Sequence, residues 1–289
     1  MRAVALAVIA SVLIAAPAAA LELAPFKDKL FAYPGILAVA DNGAHVTVDY
    51  RELRDINERD EVPERRVQRS YVDLAPRRVQ REAAIETPLG KLNYVAVGRE
   101  KGARVITIYL HGKGGNRQQG VNDYTFGGNF NRIKNLMVRN DGLYLSPDVV
   151  DFEARGRAQI SALISHYRSA SPGAAVILAC GSMGGALCWQ LAGQPDVTAG
   201  LAGMLFLGSM WNNDFRKVEA IRRRVPIVLA HGSRDKVFPV EAQEDFYRKV
   251  RKAMPGYPLR FVRFETGSHG TPIRMIDWRD SINWLLSSR

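Results

Sequence analysis

Histidine and cysteine are scarce in this chain, at five and two among 289 residues. No two histidines stand at a metal-ligand spacing, so no metal site is expected. Beyond residue 20 no stretch is long and apolar enough to cross a bilayer, which takes roughly 20 residues. The net charge of +11 raises the question of nucleic acid. However, the arginine-rich stretch RELRDINERDEVPERRVQRSYVDLAPRRVQRE, residues 51–82, lacks the interleaved aromatics that stack on bases. Its many acids nearly cancel its cations, and its duplicated RRVQR, at 65–69 and 77–81, is too short to imply a repeat fold. A solvated, ion-paired connection that need not be fully ordered is expected there, and no nucleic-acid partner.

The first twenty residues, MRAVALAVIASVLIAAPAAA, have one early arginine, an apolar run and a small-residue end. That is the pattern of a secretory signal peptide cleaved after Ala20, which implies a secreted or periplasmic protein without a stable membrane insertion. Residues 21–289 then form one domain. Export permits disulfides, yet Cys180 and Cys188 are expected as two buried free thiols. A strand ending near Cys180 and a helix starting near Ser182 put Cys188 over a turn up that helix. Its axis should lie roughly 10 Å from the sheet, whereas a bridge needs Cα atoms within roughly 7 Å.

Residues 21–90 read as antiparallel strands, with hairpins around Asp41-Asn42-Gly43 and Pro88-Leu89-Gly90. From about residue 100 the pattern changes. Continuous apolar runs (ARVITIYL, GLYLSP, AAVILAC, GMLFLGS, PIVLAHG, LRFVRFE) alternate with amphipathic stretches such as FNRIKNLMVRN, DFRKVEAIRRR and VEAQEDFYRKVRKAM. This pattern implies a mostly parallel sheet covered on both faces, with ligands at the carboxyl ends of the strands.

One of those ends carries VILACGSMGGALC, residues 176–188. An apolar strand, a serine among small residues and a helix-compatible run make a nucleophile elbow. The usual G-x-S-x-G reads C-G-S-M-G here, with Cys180 in the first position. A serine hydroxyl needs a base and the base an orienting acid. Asp235 follows PIVLAHG and His269 follows LRFVRFE, so Ser182, Asp235 and His269 each stand past a strand. A fourth strand runs into His111-Gly112-Lys113-Gly114-Gly115, a glycine loop without the spacing of a phosphate-binding Walker motif.

In this order and placement the chain resembles the α/β-hydrolase family over about residues 100–289, in particular small carboxylesterases, dienelactone hydrolases and polyester depolymerases. The resemblance implies a three-layer α/β sandwich whose antiparallel strands lie at its N-terminal edge. It implies hydrolysis of a carboxylic ester or thioester of modest size through an acyl-enzyme, without a cofactor. Ser182 is then nucleophile, His269 base and Asp235 its orienting acid, with Asp214 in reserve. The N–H groups of Lys113 and Met183 form the oxyanion hole, and Gly112, Gly114 and Trp211 border the substrate. The short connection from GMLFLGS to PIVLAHG leaves no room for a large lid. The same triad would also serve a serine peptidase or an acyltransferase, and the scaffold alone would serve a non-catalytic binding protein.

The remaining histidines take plainer readings. His111 and His231, each before a glycine at a strand end, are expected to be structural hydrogen-bonding residues, and His45 and His166 surface or core residues. Lys113, Arg117, Arg132 and Lys134 are expected to form a solvated basic rim rather than a binding site for an anionic substrate.

Overall fold

The computed structural model describes residues 21–61 and 65–289. The expected signal peptide lies outside the described residues. Ten strands form the main sheet: β1 (Ile36–Ala40), β2 (His45–Asp49), β5 (Gln80–Ile85), β6 (Leu92–Gly98), β7 (Val105–Leu110), β8 (Leu143–Pro147), β9 (Ala175–Gly181), β10 (Leu201–Leu207), β11 (Ile227–Gly232) and β12 (Leu259–Glu265). A separate two-residue ladder pairs β3 (Asp60–Glu61) with β4 (Arg66–Val67). The main sheet runs β1-β2-β12-β11-β10-β9-β7-β8-β6-β5. From β2 to β8 all pairings are parallel. The antiparallel strands are the N-terminal ones, and they occupy both edges, β1 at one and β6 with β5 at the other.

The continuous apolar runs follow from burial on both faces. Val176, Leu178 and Cys180 of β9 enter one core, and Ala175, Ile177 and Ala179 enter the other. On the first face lie α3 (Ala154–Ala170), α4 (Gly184–Ala192) and α7 (Val240–Ala253), which contribute Leu163, Leu187 and Phe246. On the second lie α2 (Asn129–Arg139) and α9 (Trp278–Ser287), with Phe130, Leu136, Trp278 and Leu285. Each such side chain contributes roughly 1.5–3 kcal/mol by leaving water. The helix expected over 214–224 is instead a 3₁₀ turn, Phe215–Lys217, and the short helix α6 (Glu219–Arg222); α1 (Asp28–Phe31), α5 (Pro195–Thr198) and α8 (Thr271–Met275) are also short. Val218 between them has extended backbone, at φ −76° and ψ 128°. No large lid interrupts this connection.

Three expectations are corrected. Cys180 and Cys188 form a disulfide, with Cα atoms 6.4 Å apart. The expected spacing assumed ordinary helix-on-sheet packing, but α4 leaves the sheet at the elbow and presses against it. A Cβ on Gly184 would lie 2.4 Å from the Leu110 carbonyl oxygen, and one on Gly185 would lie 1.9 Å from Ser209 Oγ. Only glycines allow that approach.

Arg132 and Lys134 are fully buried rather than on a rim. The N-terminal segment covers the polar side of α2. Arg132 meets Asp28 at 3.1 Å and Asp277 at 3.0 Å, while Lys134 meets Asp123 at 2.7 Å. Buried cations persist only with such partners.

The stretch 51–82 is ion-paired as expected and most of its described residues are exposed, but part of it is packed rather than solvated. Asp55, Arg59, Asp60, Val67 and Val72 are buried. Asp60 receives both terminal nitrogens of Arg274, at 2.9 and 2.6 Å.

The disulfide closes a short loop of sequence separation 8. By loop-closure entropy it should add about 2–3 kcal/mol. Urea unfolding of Cys180→Ser/Cys188→Ser is expected to show that loss, and thiol titration of the oxidised protein should find no free thiol.

Candidate active site

The loop after β7, the turn after β9 and the loops after β11 and β12 all emerge at the carboxyl ends of parallel strands. The chain order reverses between β7 and β9: β8 follows β7 on one side, and β10 follows β9 on the other. Such a switch point leaves a crevice where side chains from distant segments converge.

Ser182 occupies the turn between β9 and α4 with φ +50°. This left-handed conformation costs an ordinary residue roughly 1–2 kcal/mol. Its surroundings hold it there. The Ser182 N–H donates to Leu207 O at 3.1 Å, and Ser209 Oγ–H donates to Ser182 O at 2.6 Å. Ser209 is buried at the end of β10. In the sequence Ser209 is only the last residue of the run GMLFLGS, and nothing local shows that its hydroxyl turns back to the elbow.

The structure brings Ser182, His269 and Asp235 into one hydrogen-bonded chain. His269 Nε2 lies 2.8 Å from Ser182 Oγ, and His269 Nδ1 lies 2.8 Å from Asp235 Oδ2. The Asp235 side chain is wholly buried, whereas that of His269 keeps 29% of its exposure. Asp235 Oδ1 accepts from the N–H groups of Val237 and Phe238, at 2.8 and 3.0 Å. Burial, the largest effect on this carboxyl, pushes its pKa up. Hydrogen bonds from His231, His269 and the two amides outweigh it and hold the group well below the usual carboxylate range. Asp214 is not part of this chain; it is exposed and pairs with Lys217 at 3.2 Å.

The glycine loop lies against the serine. A Cβ on Gly112 would come within 2.8 Å of Ser182 Cβ. His111 braces the loop from beneath: Nδ1–H donates to Gly112 O at 2.8 Å, and Nε2 accepts from Val149 N–H at 2.9 Å. Burial, its largest effect, lowers the His111 pKa and favours this neutral form. Among the described residues neither the Lys113 N–H nor the Met183 N–H donates to a protein acceptor. The Lys113 and Gly114 positions are exposed. Trp211 is half-buried and packs against the core on the α4 side. Arg117 is tied to Glu82 and Asp148, both at 2.7 Å, so it is not a free cation either.

A cleft of ≈ 320 Å³ opens beside His269, lined by Tyr50, Ile56, Arg65, Phe126, Gly270 and Arg274 among others. Part of its wall is therefore the arginine-rich stretch. Larger depressions of ≈ 600 and ≈ 670 Å³ lie near the amino-terminal strand ends, beside Gly173 and Pro258. They carry none of the groups described above.

No family model matches the chain, and no curated protein matches it. Solved structures do. A feruloyl esterase module from Clostridium thermocellum, complexed with sinapinate, is similar with TM-score 0.57 at 15% identity, covering 82% of this chain and 94% of that one. A putative α/β hydrolase from Agrobacterium tumefaciens gives 0.56 at 16%, over 70% and 93%. A lidless α/β serine hydrolase from Xanthomonas campestris gives 0.50 at 16%, over 70% and 91%. The chain thus has the α/β-hydrolase fold, and at these identities the likeness is one of fold.

The elbow's packing yields a stability prediction. Ser209→Ala removes the donor to Ser182 O and is expected to cost about 1–2 kcal/mol. Gly184→Ala sets a methyl against immovable carbonyls and should cost more, about 2–4 kcal/mol. Urea unfolding measures both, and midpoints equal to wild type would contradict this account of the turn.

Proposed function

We propose that the protein is an exported serine hydrolase of carboxylic esters of modest size. The observation that carries this reading is the unbroken chain Ser182–His269–Asp235, with both links at 2.8 Å. Similarity to an esterase module and to a lidless serine hydrolase supports the reaction class. The disulfide supports export, since such bonds persist in oxidising compartments.

In this reading His269 Nε2 removes the proton from Ser182 as Oγ attacks the acyl carbon. Asp235 fixes the imidazole with Nδ1–H toward it and stabilises the cation that forms. The tetrahedral oxyanion takes the two free amides, Lys113 N–H from the glycine loop and Met183 N–H at the start of α4. There the helix dipole favours negative charge. Losing one such donor typically costs roughly 3 kcal/mol of transition-state stabilisation. His269 then protonates the leaving alcohol, and water repeats the sequence to free the acid. The cleft beside His269 would hold one side of the ester, with Phe126 and Ile56 against its apolar part.

Nitrophenyl esters of graded chain length test this directly. Ser182→Ala and His269→Ala are expected to lower kcat by on the order of 10⁴–10⁶. A fluorophosphonate should label Ser182 in the wild type and far more slowly in His269→Ala. Equal turnover in wild type and Ser182→Ala would remove the enzymatic reading. Recovered from the periplasm or medium, the mature chain should begin at Leu21.

A further inference from the structure

The carboxylate that faces His269 has a second histidine on it. His231 is the penultimate residue of β11, and its side chain is 1% exposed. Its Nε2 lies 2.7 Å from the Phe238 carbonyl oxygen and 3.2 Å from Asp235 Oδ2. That Oδ2 is also the atom that meets His269 Nδ1 at 2.8 Å. A carbonyl only accepts, so the His231 proton sits on Nε2 and is donated to Phe238 O, with Asp235 Oδ2 close beside that N–H. His231 Nδ1 is buried with no hydrogen-bond partner among the described residues. A second proton there would find no acceptor, so the ring acts as a neutral donor.

Asp235 therefore accepts from two amides on Oδ1 and from His269 on Oδ2, with the Nε2–H of His231 3.2 Å from that same Oδ2. We infer that His231 is a positioning residue of the hydrolytic site: it pins Asp235 and tempers the charge that Asp235 presents to the base. This inference rests on the reading of Ser182 and His269 as nucleophile and base. With three hydrogen bonds and the N–H dipole of His231 beside it, the carboxylate is held toward His269. Charge drawn toward His231 is charge withdrawn from the bond to His269, so the protonated base is stabilised less than by a carboxylate it did not share. Removing the His231 donor should therefore strengthen the hold of Asp235 on the protonated base, and with the donor in place the geometry of the imidazole is held independently of substrate.

Other charged groups nearby are committed elsewhere. Arg234 and Lys236, on the same loop as Asp235, are exposed. Arg263, opposite His231 on β12, pairs with Glu244 of α7 and Glu265, and His45 of β2 also faces Glu244, at 3.7 Å. Arg274, beyond His269, is held by Asp60.

The test compares His231→Leu, which removes the donor, with His231→Gln, whose amide reaches about as far as Nε2. The readouts are kcat and KM for nitrophenyl acetate, the pH profile of kcat/KM, and the pH dependence of fluorophosphonate labelling at Ser182. His231→Leu is expected to lose about tenfold in kcat with little change in KM. Its acid limb should move to higher pH by about half a unit. His231→Gln should recover most of both. If His231→Leu does not fold, His231→Asn replaces it, since its amide is one bond too short to reach Asp235 and should show the same shifted limb. A folded donor-less variant with an unchanged limb and kcat overturns the inference, as does a folded His231→Gln no better than His231→Leu. Absence of labelling at Ser182 in the wild type would instead overturn the underlying reading of the site.

Discussion

The left-handed turn at Ser182 is the constraint on which the site depends. A φ of +50° at a non-glycine residue is unfavourable, and it persists only because its neighbours leave no alternative. The turn is held from below by Leu207 O and Ser209 Oγ. On the helix side, Gly184 and Gly185 let α4 approach the ends of β7 and β10 more closely than any side chain would permit. The same approach brings Cys188 within bridging distance of Cys180. Strain at the serine and the disulfide beside it thus share one cause, a helix start driven against the sheet.

A second layer of order comes from buried charge. The segment before β5 would be a poorly anchored extension if its arginines and acids were merely solvated. Instead Asp28 and Asp277 neutralise Arg132, Asp123 neutralises Lys134, and Asp60 neutralises Arg274. Asp28 joins this segment to α2 and Asp60 joins it to the helices after β12, while Asp277 and Asp123 tie α2 to its other neighbours. A pair of this kind adds little net stability over an apolar packing of equal volume, but breaking it strands a charge. Such contacts make the placement of the arginine-rich stretch against the cleft specific.

Much of this architecture was legible in the residues. The alternation of apolar runs with amphipathic stretches reports burial on two faces, which is a local property of each strand and helix. The hairpins at Asp41-Asn42-Gly43 and Pro88-Leu89-Gly90 follow from turn chemistry over a few residues. Ser182, Asp235 and His269 could be singled out because each stands just past an apolar strand. What stayed hidden depended on distances between segments. His231 looked like any histidine before a glycine, and its contact with Asp235 exists only because the loop after β11 folds back over the strand end. The disulfide was misjudged because average packing distances do not apply where glycines line the contact.

By itself, the sequence determined the order of elements, which faces are apolar, and the small-residue turn that presents a hydroxyl. These rest on periodicity and steric size within a few residues of one another. Only the tertiary structure decided which acid meets which cation, that α2 is covered, and that one aspartate serves two histidines. Those outcomes depend on pairs as far apart as Asp60 and Arg274, separated by 214 positions. No local pattern encodes such a pairing, because its energy appears only when packing has excluded water from both partners at once.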